Sequence, residues 1–174
     1  MNRPADTEFA PYYAIYISLV PEADALDVLA NQPKELRNLA AGVATDRERF
    51  RYAPGKWSIR ETLGHMVDTD RVFGHRAFCI SRGEHQPLPG FDQNEYMTTS
   101  DFDRQPLADL VSEFAIVREA NLLALRRLDA NIWDRTGTAS GHPVSVRALA
   151  FMMAGHVRHH CHILQERYGV KPLA

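Results

Sequence analysis

Four stretches carry apolar side chains at three- and four-residue spacing, and segments rich in proline and glycine separate them. Residues 22–41 present Leu26, Leu29, Leu36 and Leu39 on one side, after Pro21 at a first-turn position. Pro33 is expected to kink or split that stretch, because proline lacks the amide hydrogen a helix interior needs. Residues 52–56, Tyr-Ala-Pro-Gly-Lys, read as a turn. A second helix is expected over 58–82, opened by Ser58 and Glu61 at capping-box spacing and stopped by Gly83. The third is expected over 106–131 on Leu107, Leu110, Phe114, Val117, Leu122, Leu125 and Leu128. The fourth is expected over 145–168, with Ser145 as its cap and Gly169 as its stop. The long loop 83–105 has room for a short helix near 93–97, and 136–143 for a small hairpin. Four amphipathic helices of about twenty residues, with almost no strand signal, predict an all-α four-helix bundle in one domain, residues 1–174. Long loops leave room for crossover connections.

Composition narrows the function classes. Apolar residues make up 45% and charged residues 24%, the balance of a chain that buries its own core. A formal net charge of −2 gives no basic face for nucleic acid, and Asp46 and Glu48 interrupt the cluster of Arg47, Arg49 and Arg51. No window reaches the ~18 apolar residues of a membrane span, and the amino terminus makes a poor secretory signal. Two unpaired cysteines, Cys79 and Cys161, suggest a reducing, cytoplasmic setting. No nucleic-acid or membrane partner is therefore expected.

Histidine is the unusual residue: there are eight, four of them between 156 and 162. On a wheel of 100° per residue, His156 and His160 fall with Leu149, Met153 and Ile163 inside a stripe about 80° wide. His159 and His162 turn about 80° and 140° away from Leu149 and are set aside. Imidazoles at i and i+4 have Cβ atoms about 6 Å apart, so both can reach one ion through Zn–N bonds of ~2.0–2.1 Å. The competing reading is two core histidines satisfied by hydrogen bonds; each would need its own buried partner. A third ligand has to come from another helix. His65 lies on a line with Thr69, Val72 and Arg76, flanking the main apolar side of Ile59, Met66, Phe73 and Ile80. His75 is its rival and looks more exposed.

Other polar residues intrude on apolar lines. Arg118 and Asn121 share the line of Phe114, Leu125 and Leu128, and Arg76 shares the line of His65. An arginine facing a pocket can clamp a substrate carboxylate. For Arg118 an internal salt bridge, for example with Asp68 or Glu61, is favoured. Asp68 could orient a ligand imidazole or remain an exposed helix charge. Cys161 reads as a small buried hydrophobe, Trp57 as a packing anchor, and Tyr12, Tyr13 and Tyr16 as an aromatic cover on the bundle.

The run from Tyr52 to Glu61, then Leu63-Gly64-His65 with Asp68 and Arg71, resembles the DinB-like (damage-inducible) superfamily. So does Ala154-Gly155-His156 followed by His159-His160. The resemblance implies an up-up-down-down four-helix bundle, often a homodimer, with a three-histidine metal site matching His65, His156 and His160. One divalent ion is expected there; nitrogen donors suit zinc, nickel, copper and iron alike, with zinc or nickel favoured and iron or manganese next. The activity implied is metal-dependent transfer or isomerisation with a small thiol such as bacillithiol, mycothiol or glutathione and a small-molecule electrophile. A related branch of iron-dependent sulfoxide synthases carries His-x-x-x-His-x-Glu; His162 stands where that Glu would be, which argues against that chemistry. Asp68, Arg76 and Arg118 are the candidate helpers. Two other readings are a non-catalytic metal-binding stress-response bundle and a metal-free helical interaction module.

Overall fold

A computed structural model describes residues 1–172. After two 3₁₀ turns comes a short helix, α1 (Ala14–Ser18). Four long helices follow: α2 (Ala25–Ala41), α3 (Ile59–Ser81), α5 (Leu107–Leu125) and α6 (Val146–Tyr168). The loop between α3 and α5 holds a short helix, α4 (Gln93–Thr99), close to the 93–97 expected. Between α5 and α6 the expected hairpin forms, β1 (Thr136–Ala139) antiparallel to β2 (His142–Ser145). Its two-residue turn puts Ser140 at φ 53° and Gly141 at φ 77°. Leu88 of the long loop bonds to this hairpin on both sides, its N–H to the Thr138 carbonyl and its own carbonyl to Ser140 N–H.

The helix starts follow the local chemistry. Ser58 Oγ accepts from Glu61 N at 3.0 Å while Glu61 Oε2 accepts from Ser58 N at 2.7 Å, which satisfies two orphan amides of α3. Ser145 Oγ accepts from Ala148 N at the start of α6, and Gly169 ends that helix at φ 67°. Asp24, rather than Pro21, sets the start of α2 by accepting from Leu26 N. The third long helix stops at Leu125, short of 131. Leu128 N turns back to the Leu125 carbonyl, and a separate 3₁₀ turn occupies Ala130–Ile132.

Of the kink or split expected at Pro33, the split does not occur: α2 runs unbroken over Ala25–Ala41. The missing N–H of Pro33 frees the Leu29 carbonyl, and Arg118 Nη1 of α5 approaches that oxygen at 3.5 Å. The same nitrogen donates to Gln32 Oε1 at 2.5 Å, and Gln32 Nε2 donates to the Ala154 carbonyl of α6 at 2.6 Å. Arg118, 0% exposed, bonds both oxygens of Asp70 on α3 and pairs with Asp70 Oδ1 at 2.7 Å. An internal ion pair was expected, but its partner is Asp70, not Asp68 or Glu61. Two residues on a helix differ by about 200° in direction, so Asp68 faces away from Arg118.

These polar groups form a layer across the middle of the bundle. On one side lies an apolar cluster with Val28, Leu29, Phe73, Ala77, Leu122 and Phe151. On the other lies a second, with Leu36, Met66, Phe114 and Leu164. α2 and α3 each pack against both α5 and α6. Asp70 meets Arg118, and Asn121 meets Asp70 and Gly74, so α3 and α5 run parallel. His65 meets His156 and His160 while Tyr168 reaches back to Trp57, so α6 opposes α3. Gln32 meets Ala154, and Glu35, Asn38 and Leu39 lie beside Val157, Cys161 and Gln165, so α2 runs with α6. The four-helix bundle with a crossover is thus present. Its directions in chain order are up, down, down, up, where the resemblance implied up-up-down-down. The long loop through α4 carries the chain back along the bundle and makes the parallel pair α3 and α5.

Candidate metal centre

His65 comes from the second turn of α3, and His156 and His160 from successive turns of α6. Because these helices are antiparallel neighbours, the three side chains meet inside the bundle. His65 and His156 are each 3% exposed and His160 is 8% exposed. His156 Nε2 lies 3.0 Å from His65 Nε2 and 3.1 Å from His160 Nε2. One candidate ligand atom from each ring lies within 4.8 Å of the other two.

Two glycines allow this convergence, and each immediately precedes a histidine. A Cβ at Gly64 would lie 2.3 Å from the Phe102 ring, and one at Gly155 would lie 1.9 Å from the Tyr16 carbonyl oxygen. Gly64 thus admits the aromatic plug that follows α4, and Gly155 admits α1. The sequence motifs contain both glycines, but only packing reveals what they make room for.

The donors fit a metal better than they fit one another. Burial is the main cause that pushes His65 down to about 4, with His159's charge adding to it. Burial, reinforced by the neighbouring histidines, pushes His156 and His160 well below the usual histidine range. All three are therefore neutral near pH 7, as a ligand imidazole must be. A neutral imidazole nitrogen offers either one proton or one lone pair, so the central His156 Nε2 cannot bond both neighbours well. A cation would satisfy all three lone pairs at once. At Zn–N bonds of ~2.0–2.1 Å, adjacent nitrogens stand about 3.3 Å apart in a tetrahedron and about 2.9 Å apart at right angles. The observed 3.0 and 3.1 Å lie between these values.

The surroundings orient the rings. Thr69 Oγ1 stands 3.5 Å from His65 Nδ1, one turn along α3. The Trp57 ring centroid is 4.8 Å from that of His65, so the packing anchor expected of Trp57 rests on the site itself. Tyr16 packs edge-on against both His156 and His159, with centroids 5.3 Å away in each case. The tyrosines do cover the bundle, yet Tyr13 and Tyr16 also wall the site, a role their sequence spacing did not signal.

A cavity of about 380 Å³ opens beside His65 and His156, walled by Tyr12, Tyr13, Tyr16, Phe73 and Phe91. A second of about 250 Å³ reaches His160 between Trp57 and Tyr168. Neither is lined by an aspartate or glutamate.

The other candidates separate. Arg76 is 3% exposed and bonds Pro89 O at 2.8 Å and Ser140 Oγ at 2.9 Å; it stands behind Ser140, which lines the larger cavity. Arg118 is committed to Asp70 and Gln32. Asp68 does not reach the imidazoles, since Thr69 holds the position at His65 Nδ1. Burial raises the Asp68 carboxyl against the pull of Arg71, with Glu113 adding to the rise. The rival His75 is exposed and lies near Cys79. His162 is exposed as well. Cys161 is half-buried, its thiol pushed up to about 12 by burial and then by Glu35, which suits the inert hydrophobe expected.

Residues 29–164 match the model of the DinB superfamily, and the chain belongs to that family. Among solved structures it is similar to YfiT from Bacillus subtilis, described as a probable metal-dependent hydrolase with an unusual four-helix bundle topology. That likeness has a TM-score of 0.74 at 17% identity, covering 97% of this chain and 94% of YfiT. No curated protein sequence matches the chain.

Proposed function

We propose that this chain is a metal-dependent enzyme that joins or rearranges a low-molecular-weight thiol and a small-molecule electrophile at the His65, His156 and His160 site. The observation that carries this reading is three buried neutral imidazoles converging beside a cavity, with no fourth protein ligand among the described residues. Structural zinc sites usually close with four protein ligands, whereas three leave a position for a reactant. A divalent ion held there would supply Lewis acidity that favours ionisation of a thiol or a water. Zinc or nickel suits three nitrogen donors, with iron and manganese next.

The likeness to YfiT supports hydrolysis as the second reading. Hydrolytic sites commonly add a carboxylate that takes a proton from water, and the lining of both cavities lacks one. A thiol with a lowered pKa needs no such base, so the lining favours thiol chemistry. Tyr16, Phe73 and Trp57 would keep bulk water from the reacting centre. The cavity also argues against an ion that serves the fold alone.

Cobalt-loaded protein provides the test. Addition of bacillithiol, mycothiol or glutathione should produce a sulfur-to-cobalt charge-transfer band in the near ultraviolet. Fully loaded protein that gives no band with any of them, yet cleaves simple esters, would replace thiol transfer with hydrolysis.

A further inference from the structure

We propose that the larger cavity recognises small carboxylate-bearing molecules, with Arg76 as the anion-binding residue. The proposal names the substrate class for the site proposed above and rests on that reading only for where the reacting group would lie.

Two arginines are buried among the described residues, and they differ in one respect. Arg118 is neutralised by Asp70 at 2.7 Å. Arg76 is 3% exposed, and no carboxylate among the described residues pairs with it. A guanidinium does not shed its proton, so burial without a counter-charge is costly. Both of its hydrogen bonds leave from one nitrogen, Nη2, toward Pro89 O and Ser140 Oγ. The Tyr13 hydroxyl lies beside the same guanidinium, whose charge opposes the rise that burial imposes on the tyrosine.

The groups around Arg76 are walls of the cavity. Tyr13, Phe73 and Ser140 all line it. Arg76 Cζ is 5.9 Å from the Phe73 ring centroid, and that ring is 6.2 Å from the His156 ring. Phe73 therefore neighbours both the cation and the metal-facing histidine, close enough for a short-chain or single-ring molecule to reach the two. Ser140, which lines the cavity at the hairpin turn, accepts from Arg76 Nη2 at 2.9 Å. A carboxylate entering the cavity would supply the missing counter-charge through the guanidinium's remaining donors, with the Tyr13 hydroxyl alongside. If Arg76 merely fastened the 83–92 segment to the hairpin, Nη2 alone would suffice and the charge would serve no purpose.

The probe pair is phenylacetate and its neutral isostere phenylacetamide, titrated by calorimetry into metal-free and zinc-loaded full-length protein. The carboxylate should bind at least about tenfold more tightly than the amide in both forms, as expected of a charge-assisted contact. Arg76→Gln should abolish that preference, while Arg76→Lys should keep it at reduced affinity. Arginine Nε–H resonances give a second readout that needs no variant. Phenylacetate should shift one buried guanidinium and phenylacetamide should not. Equal binding of the two probes, or a preference that survives Arg76→Gln, overturns the proposal. So does carboxylate binding confined to zinc-loaded protein with no guanidinium shift, which would put the anion on the ion. Because metal-free protein carries the decisive comparison, failure to take up metal would sink the enzymatic reading without touching this one.

Discussion

Arg118 shows how much of the interior hangs on single side chains. Its guanidinium meets Asp70, Gln32 and the Leu29 carbonyl that Pro33 leaves unpaired. Removing one partner of a buried pair leaves the other charge unsolvated, which costs about 3–5 kcal/mol. Arg118→Met should therefore lose stability of that order in urea unfolding, and a loss below about 1 kcal/mol would contradict a shared polar layer. The intruding Arg118 and Asn121 were legible in the sequence because they interrupt an apolar line. Their partner was not, because a wheel orders side chains around one helix and says nothing about which face of another helix meets it. The histidines divide the same way. His156 and His160 follow from spacing and their central place on α6. His65 sits on the flank of its own pattern and rested on the family resemblance until the antiparallel packing of α3 and α6 brought it 3.0 Å from His156.

Elements dock here through absent side chains. α1 lies against α6 because Gly155 has no Cβ to strike Tyr16. Gly155→Ala must push α1 outward, at a cost of about 1–3 kcal/mol for overpacking. Limited proteolysis should then cut near Tyr12 and Tyr16 well before it cuts wild-type protein, and the larger cavity should lose its tyrosine wall. Unchanged protection would mean that α6 yields instead. The four long helices were legible because each spans enough turns for a 3.6-residue period to show. α1 has 5 residues, too few for any period, and its docking depends on a partner far along the chain. Pro33 stays inside an unbroken helix for a related reason. A proline usually ends a helix through a carbonyl left without a donor, and in this fold another helix delivers a donor to that carbonyl.

At the scale of the whole molecule, ion pairs fasten the amino-terminal segment to the bundle. Arg147 of α6 bonds both oxygens of Glu8, at 2.7 Å each, and pairs with Asp134. Burial acts to raise the Glu8 carboxyl, but Arg147, the Ala5 amide and Ser145 outweigh it and lower it to about 2 from an ordinary 4.5. Its contribution to stability is present above pH ~4.5 and is lost as pH falls toward about 2. Wild-type melting temperature should drop across that window, and Glu8→Gln should flatten the drop while lowering stability near pH 7 by about 1 kcal/mol. An identical pH profile in the variant would show that the pair does not hold the segment. No described helix is long and apolar enough to cross a membrane. The bundle's identity was legible from four periods and two histidine motifs. The order of its helix directions was not, because loop length permits a crossover without dictating it.

Metal stoichiometry tests the central claim most directly. Untagged protein offered zinc or nickel and then dialysed should retain one divalent ion per chain by elemental analysis. His160→Ala should retain far less, with affinity reduced by at least about 100-fold, beyond what loss of an outer-shell partner costs. Wild-type protein that holds no metal and takes none up, or a His160→Ala variant that binds as tightly as wild type, would contradict the account.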